Sequence, residues 1–478
     1  MMPASPTVPA SPTVPTSPTV SVQDRESRPP SEMPNASQHT VVERPTRAYD
    51  PPFSKGFWDK DPISTNARRT YLKTCVLAVV LVSLTIWAVL PMFWGSEWKP
   101  ETAIHNLNGW IIDFDGGDIG SYVSQNIYSL TGPKTQISWH IMPTTDFPNG
   151  PSDIPQHIVY EDCWVAVSIN PGATNTLSSA AESADSSYNG SLAITMYAAE
   201  ARNENSYRLF LRPMMDTTLQ NISNTFATRY ATELASRGLD LTNLLASAPQ
   251  VVTQPVSYII DNVRPFDVEV ASAVDFVGLI YLLILAFITV LMNFTARVMV
   301  SGFDRRLRLS SLIKLRLIVP PSLYFLISLN YALVSLAFQV PFTREFGRGG
   351  FVVYWMLAWM GMTALGLAVE ALVTILTPKF IPFFLVLWLI TNVSVSFYPI
   401  ELLPTIFRYG FAAPFYNVSR GVRTIVFRTR NQVGLNFGIL FAWIVVSCIT
   451  LPLFQWFMRR RAVLEHRKQQ KVRGAKHA

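Results

Sequence analysis

Charged side chains are scarce in this chain. Asp, Glu, Lys and Arg make up 15% of its 478 residues, whereas hydrophobic types make up 49%. A soluble globular chain carries about 25% charged residues. The charge is missing from a few long blocks rather than thinned evenly along the chain. This pattern indicates segments that lie in lipid instead of facing water.

Cysteine pairs and the usual catalytic motifs are missing as well. Of the three cysteines, Cys75 and Cys448 lie in apolar runs and Cys163 stands alone in the polar part of the chain. That arrangement excludes a disulfide within the polar part. The six histidines have no metal-ligand spacing, and there is no P-loop, GxSxG, HExxH or CxxC motif. We therefore predict that the chain is not an enzyme and holds neither a cofactor nor a metal.

Residues 1–52 have few apolar side chains and many Pro and Ser residues. They begin with the repeat PASPTV, PASPTV, PTSPTV between Pro3 and Val20. Such a composition cannot build a core, so we predict a disordered cytoplasmic tail. Ser5, Ser11 and Ser17 precede proline and are candidate phosphorylation sites; the alternative is an unmodified spacer.

Six apolar runs are each about 20 residues or longer, enough at about 1.5 Å per residue to cross a hydrocarbon core of about 30 Å. The sequence therefore predicts a polytopic α-helical membrane protein with six transmembrane helices, the first within 53–96 and five within 273–458. The fifth run is the weakest, because prolines limit its regular part. The runs lie between Lys73 and Glu97, Asp275 and Arg297, Arg316 and Arg344, Arg348 and Lys379, Phe380 and Ile400, and Asn431 and Met458.

Basic residues cluster beside alternate ends of these runs, and the positive-inside rule makes that side cytoplasmic. Both termini are then cytoplasmic, including a basic tail at 459–478, and residues 97–272 lie outside. This orientation explains the balance of 39 basic against 32 acidic residues without nucleic acid; anionic lipid headgroups are the alternative partner. The clusters are Arg68, Arg69 and Lys73; Arg297, Arg305, Arg306, Arg308, Lys314 and Arg316; and Arg459, Arg460 and Arg461.

Residues 97–272 carry mixed strand and helix patterns, which predict an extracytoplasmic α+β domain inserted between transmembrane helices 1 and 2. Strands are predicted at Gly109–Phe114, Gln136–Met142, Cys163–Ile169, Leu192–Tyr197 and Val256–Ile260, and helices at Ile119–Leu130 and Pro213–Arg237.

Three further features of this domain have two interpretations each. Asn189 and Asn221 begin glycosylation sequons, which also arise by chance. Asp113, Asp115 and Asp118 suggest either a cation site or, more simply, the turn between a strand and a helix.

Polar residues inside the apolar runs are the main functional candidates. Glu370 interrupts the fourth run, near the cytoplasmic face, where a carboxylate costs about 2.5–3.5 kcal/mol or more. It is either an interfacial anion paired with a loop arginine such as Arg305 or Arg306, or a coupling or gating group. The remaining candidates are Asn293, Asn330 and Asn392, which we expect to form hydrogen bonds between helices.

Short motifs in a fixed order resemble the fungal nitrosoguanidine-resistance membrane protein family, and through it the permeases of ABC-2 type exporters and the bacterial phage-infection-protein group. The resemblance covers about residues 53–460. The motifs are FWGS at 93–96, IIDFDGG at 111–117, CWVAVSINPGAT at 163–174, ARN at 201–203, PF at 265–266 and VGLIY at 277–281.

The resemblance implies a function and a layout. It implies movement or distribution of lipids or hydrophobic toxicants across the plasma membrane, hence drug resistance, by a homodimer that contacts membrane lipids. It also implies that residues 401–430 form a hairpin in the outer leaflet with its arginines among the headgroups; the alternative is a surface loop. A different function is also open, namely a non-transporting adaptor that reaches protein partners through its outer domain and cytoplasmic tails.

Overall fold

The computed structural model describes residues 54–237 and 240–475, without the side chains beyond residue 470. The repeat near the N-terminus and its three serines therefore lie outside the described residues. The chain divides into two compact units, Met1–Leu72 and Lys73–Ala478. All sites discussed below lie within the second unit.

Helices account for most of the described residues. They are α1 (Pro62–Ser96), α2 (Asp118–Tyr128), α3 (Ile154–Tyr160), α4 (Ala173–Ser183), α5 (Glu204–Ser206), α6 (Arg212–Ser236), α7 (Leu241–Ser247), α8 (Gln250–Thr253), α9 (Ser272–Asp275), α10 (Val277–Thr295), α11 (Phe303–Arg306), α12 (Leu309–Ala337), α13 (Thr343–Phe346), α14 (Gly350–Val393), α15 (Pro414–Phe427) and α16 (Val433–Ala475).

Within the described residues, five helical segments are long and apolar enough to cross a membrane. They are Pro62–Ser96, Glu269–Val300, Leu309–Ala337, Thr343–Val393 and Val433–Gln470. Soluble domains do not accommodate several helices of this length and hydropathy. The chain is therefore a polytopic membrane protein, as its scarcity of charge predicts.

The fourth of these segments combines the fourth and fifth predicted runs. Its helix α14 has 44 residues, which at about 1.5 Å per residue would measure about 66 Å. The helix breaks at Thr377, whose φ of 62° and ψ of 161° are not helical, and Pro378 follows. We name the two parts α14a (350–376) and α14b (378–393).

Positions at similar distances before and after Thr377 lie against the same helix. A Cβ at Gly361 in α14a would come within 2.7 Å of Val418 in α15. Asn392 in α14b accepts a hydrogen bond from the backbone N–H of Phe415 at the start of α15, at 3.1 Å. The chain therefore reverses its direction at Thr377.

The region between α1 and α9 contains a five-stranded sheet. Its strands are β1 (Asn108–Asp113), β2 (Ser138–Met142), β3 (Val165–Ile169), β4 (Ile194–Ala198) and β5 (Tyr258–Asn262). Their order is β2-β1-β3-β4-β5. The pairs β1–β2, β1–β3 and β4–β5 are parallel, and β3–β4 is antiparallel. The five strands predicted from the sequence are confirmed, with ends shifted by a few residues. We call residues 100–262 the sheet region.

The long helix α6 covers this sheet with the face that its sequence predicts. Met215, Leu219, Ile222, Phe226 and Tyr230 recur at three- to four-residue spacing, and all five are buried. That spacing places them on one stripe of a helix, where burial of each large side chain contributes about 1.5–3 kcal/mol.

The loop after β1 is a turn built on its own carboxylates. Asp113 accepts the backbone N–H groups of Asp115 and Gly116, at 3.0 and 2.9 Å. Asp115 accepts the N–H of Gly120 at 3.2 Å and that of Thr174 at 2.9 Å. Asp115 thus occupies the N-terminal ends of α2 and α4, where a switch point of parallel strands would otherwise bind a ligand. No metal-binding group of three or more His, Cys, Asp or Glu occurs among the described residues.

Candidate functional site

Glu370 lies at the centre of a buried ionic cluster between helices. Its carboxylate is fully buried and accepts from Arg316 Nε at 2.6 Å and from Arg297 Nη1 at 2.8 Å. Arg316 Nη1 also donates to Thr374 Oγ1 at 2.7 Å and to Gln455 Oε1 at 2.5 Å. We call this cluster, together with Asp304 and Arg459, the Glu370 network.

Glu370 does pair with arginines of the predicted basic loop, but not with Arg305 or Arg306, which the prediction gives as examples. Both of these arginines are exposed in the loop. Arg297 and Arg316 instead lie in helical turns at the ends of the spans, so their side chains reach inward between the helices. Arg297 also binds Asp304 at 2.9 Å, which holds the loop against the bundle.

The Glu370 network borders a cavity of about 300 Å³. Arg297, Arg316 and Arg459 line it from three different helical segments, and Thr377 lines it at the chain reversal. A β-branched residue with positive φ is strained, and such strain tends to collect at functional positions. An intramembrane carboxylate beside a strained reversal is therefore a functional candidate.

A second ionic cluster joins α15 to the sheet region. Arg423 in α15 lies 2.6 Å from Glu204 Oε2 and 2.7 Å from Asp275 Oδ2, and it donates to the carbonyl of Ala201 at 3.0 Å. Only 4% of the Arg423 side chain is exposed, and Asp275 is fully buried. We call this cluster, together with the neighbouring ion pairs of Arg420 with Glu161 and of Arg202 with Glu401, the sheet junction.

The sheet junction continues at Arg420 and Arg202. Arg420 Nη1 lies 2.6 Å from Glu161 Oε1. Arg202 stacks 3.5 Å from the ring centroid of Trp164 and lies 3.7 Å from Glu401. Burial raises the pKa of the Glu161 carboxyl, but Arg202 and Arg420 outweigh burial, so this pKa lies below its ordinary value.

The resemblance implied that the arginines of the 401–430 segment lie among lipid headgroups. This does not hold for all of them. Arg420 and Arg423 are largely enclosed by protein and paired with carboxylates, whereas Arg408 and Arg430 are exposed. The segment contains two 3-10 turns, Ile400–Leu402 and Thr405–Ala412, before α15. Helix α15 is buried along nearly its whole length, so the segment is not a plain surface loop. Its place in the outer leaflet stays a prediction.

An apolar groove lies between α10 and α12. It has a volume of about 640 Å³ and is lined almost entirely by apolar side chains, with Asn330 and Tyr331 among its few polar residues. It begins beside α9, at Val274, and reaches Phe338 near the end of α12. We call it the α10–α12 groove. Ligand pockets in proteins commonly measure about 300–1,000 Å³, so the groove has the size of one.

The three intramembrane asparagines have different surroundings. Asn392 binds between elements, since its Oδ1 caps α15 at Phe415 N. Asn330 is exposed to the groove and its amide donates to Leu326 O in its own helix, at 2.9 Å. Asn293 Nδ2 is buried, with no hydrogen-bond partner among the described residues. The expected interhelical hydrogen bond is thus formed by Asn392 and not by Asn330.

Both sequon asparagines lie on the surface of the sheet region. Asn189 is exposed and caps a short turn by accepting from Ser191 N at 3.1 Å. Asn221 is exposed on α6, whereas the Ser223 of its sequon is buried. The accessible position of both asparagines is compatible with glycan attachment, which stays a prediction.

The residues that sequence reasoning missed are Asp275, Glu204, Arg316 and Arg423. The sequence marks Asp275 as the boundary of an apolar run, and Arg316 as such a boundary and a member of a basic cluster. Their position offers a signal, because a charge that adjoins an apolar run lies where it can turn inward between helices. Glu204 carries no such signal, since it follows the short ARN motif in a polar stretch.

The helices and the two buried clusters define a multi-pass membrane protein with a sheet region inserted after its first apolar helix. The family model described as "Protein of unknown function (DUF3533)" matches residues 78–449, and the chain belongs to that family. It is 26% identical to an uncharacterized endoplasmic reticulum membrane protein of Saccharomyces cerevisiae over 443 residues, which cover 86% of this chain and 84% of that protein. No solved structure matches the chain.

Proposed function

We propose that this protein binds a lipid or a membrane-dissolved hydrophobic compound in the α10–α12 groove and moves or redistributes it between the leaflets. The observation that carries the proposal is the groove itself, which is apolar, about 640 Å³ in volume and placed on two membrane-crossing helices. A water-soluble ligand would gain little from such a lining, whereas an acyl chain gains burial along its length. The resemblance to ABC-2 permeases supports the same function.

The proposed topology has six crossings. The reversal at Thr377 makes α14a and α14b two crossings, because each contacts α15 well away from the reversal. Helix α15 in turn contacts the sheet region through Arg420 and Arg423. The sheet region, α15 and the end of α14b then share one side, which we take as extracytoplasmic from the positive-inside rule. Both termini and the Glu370 network lie at the cytoplasmic side.

The two ionic clusters have a natural role in this function. Each ties several elements together at opposite ends of the bundle, and an intramembrane ion pair is retained at a cost where it serves a function. We propose that the Glu370 network closes the cytoplasmic end while the groove is open near the sheet region. Glu370 is then a gating group, and its arginines hold the gate.

A blocked groove tests this function most sharply. We propose to reconstitute the full chain in liposomes with a fluorescent phospholipid and to compare Val334→Trp with Leu326→Trp. Both side chains lie on α12 and are similarly exposed, at 58% and 59%, but Val334 lines the groove and Leu326 does not.

We expect Val334→Trp to abolish lipid movement and Leu326→Trp to leave it near the wild-type rate. Wild-type movement no faster than in empty liposomes, under ion gradients of either sign, would contradict the transport function. Equal effects of the two tryptophans would contradict the groove as the site.

The membrane that houses the protein is a separate question. The resemblance favours the plasma membrane, and the name of the yeast relative adds the endoplasmic reticulum. Fluorescent tagging of the full chain against markers of both membranes distinguishes these locations. A homodimer, glycosylation at Asn189 and Asn221, and a contribution to drug resistance belong to the same proposal.

An adaptor function is the second candidate, and one observation favours it. Arg305, Arg306 and Arg308 are exposed in the loop between α10 and α12, where they are available to an acidic partner. Deletion of residues 1–50 together with exchange of loop 298–314 should then abolish function in cells. Full function of that variant would contradict the adaptor hypothesis.

A further inference from the structure

Around Arg423, the sheet junction contains more buried negative charge than positive charge. Arg423 is shared by two carboxylates, Glu204 and Asp275, at 2.6 and 2.7 Å. The neighbouring pair of Arg208 and Glu200, at 2.6 Å, is balanced within itself. One unit of negative charge therefore remains beside Arg423.

Of the two carboxylates, Asp275 is the one whose negative charge is not compensated. Its residue is fully buried, and its Oδ1 has no hydrogen-bond partner among the described residues. Glu204, by comparison, keeps about a tenth of its side chain exposed. An uncompensated buried charge costs several kcal/mol, and a carboxylate in that position avoids the cost by taking up a proton.

Among the residues that the structure describes, no second cation faces Asp275. The titratable groups that face it are Arg423 from α15, Glu204 from α5 and Tyr331 from α12. On the other side of Arg423 lies a partly open cavity of about 40 Å³ with a mainly polar lining that includes Asn203 and Ser396. A single water needs about 10–15 Å³, so this cavity provides room for a hydrated route to the arginine.

Asp275 also adjoins the α10–α12 groove. Its neighbour Val274 and the facing Tyr331 both line the groove. A shift of α9 that admits a ligand therefore changes the contacts of Asp275 with Arg423. Helix α9 therefore contacts both the proposed proton site, through Asp275, and the groove, through Val274.

We infer that Asp275 binds a proton beside Arg423 and Glu204, and that release of this proton is coupled to occupation of the α10–α12 groove. The coupling rests on the proposed function, whereas the proton site does not. A proton gradient would then supply the energy for lipid movement, without an ATPase.

The first test uses thermal unfolding of the purified full-length chain from acidic to alkaline pH. A buried carboxyl that is neutral in the fold stabilises most at low pH, and its contribution falls as rising pH removes the proton. Asp275→Asn should therefore equal the wild type at acidic pH and exceed its unfolding temperature at alkaline pH.

The matched control is Glu269→Gln, an exposed carboxyl in the same segment, which should keep the wild-type pH dependence. An Asp275→Asn protein that is less stable than the wild type at every pH would overturn the proton site. That result would mean that Asp275 is ionised and is stabilised by Arg423 and by the N-terminus of α10.

The second test measures binding of a fluorescent phospholipid to the same proteins at acidic and alkaline pH. We expect a severalfold change in affinity for the wild type and none for Asp275→Asn. A wild-type affinity that does not change with pH would overturn the coupling and leave the proton site standing. Absence of lipid binding at any pH would contradict the proposed function, while the unfolding result would still decide the proton site.

Discussion

The two buried ionic clusters use the same chemistry with opposite charge balance. The Glu370 network combines Arg297, Arg316 and Arg459 with two carboxylates, Glu370 and Asp304. The sheet junction combines Arg202, Arg420 and Arg423 with four carboxylates, Glu161, Glu204, Asp275 and Glu401. Acid protonates carboxylates, so it should relieve the excess of negative charge in the sheet junction. The Glu370 network has no such excess for acid to relieve.

The largest expected effect belongs to Glu370→Ala. The change leaves two buried guanidinium groups without their common carboxylate, which costs about 3–5 kcal/mol, and acidic pH should not restore the loss. Thermal unfolding of the purified chain measures it. Glu401→Ala is the control, because Glu401 is 39% exposed and its pair with Arg202 is long, at 3.7 Å. If Glu370→Ala lowers the stability no more than Glu401→Ala, then water reaches the Glu370 network and screens its charges.

Arg423→Met should be about as damaging at neutral pH, because it leaves Glu204 and Asp275 without a cation. Unlike the loss at Glu370, this one should shrink as the pH falls and the two carboxylates take up protons. Unfolding temperatures across a pH series check the difference. Arg428→Met is the control, since 59% of the Arg428 side chain is exposed. A pH-independent loss at Arg423 would remove the contrast between the clusters.

Glu161→Gln should have a smaller effect, of about 1.5–3 kcal/mol, the value of a hydrogen bond to a charged group. The pKa of Glu161 is lowered, so its stabilisation is fully present above the ordinary pKa of a glutamate and is lost as pH falls through the lowered pKa. The variant and the wild type should thus differ near neutral pH and converge in acid. A constant difference at every pH would show that Glu161 acts through packing alone.

The smallest effect is expected on the surface of the sheet region. Arg229 and Asp118 lie 3.0 Å apart, but about half of each side chain is exposed. Arg229→Ala should therefore change the free energy of unfolding by at most about 1 kcal/mol, as chemical denaturation can measure. A loss as large as that of Glu161→Gln would mean that burial does not separate strong pairs from weak ones in this protein.

Local pattern explains which parts of the fold are predictable from the sequence. Helix α6 follows from a period of 3.6 residues, because it buries one face. The strands follow from short β-rich runs ended by turn signals, and β3 is buried on both faces. Long apolar runs likewise predict the spans, and the break between the fourth and fifth runs coincides with Thr377-Pro378. Glu370 stands out for the same reason, as a charge within an apolar run.

The partners of that charge are not predictable in this way. Arg316 and Arg297 are 54 and 73 positions from Glu370 along the chain, on other helices. Which of the neighbouring arginines turns inward depends on how the helices pack. The same holds for Arg423. The resemblance implied a place among headgroups, whereas its partners come from the sheet region and α9.

The central claim is that the chain reverses at Thr377 and crosses the membrane six times, so that the sheet region and the end of α16 face opposite sides. Single cysteines at Ala235, Lys379 and His466, all exposed positions, can be probed in sealed vesicles with a membrane-impermeant thiol reagent. We predict that Ala235→Cys reacts from one side, and that Lys379→Cys and His466→Cys react only from the other. Reaction of Ala235→Cys and His466→Cys from the same side would contradict the account.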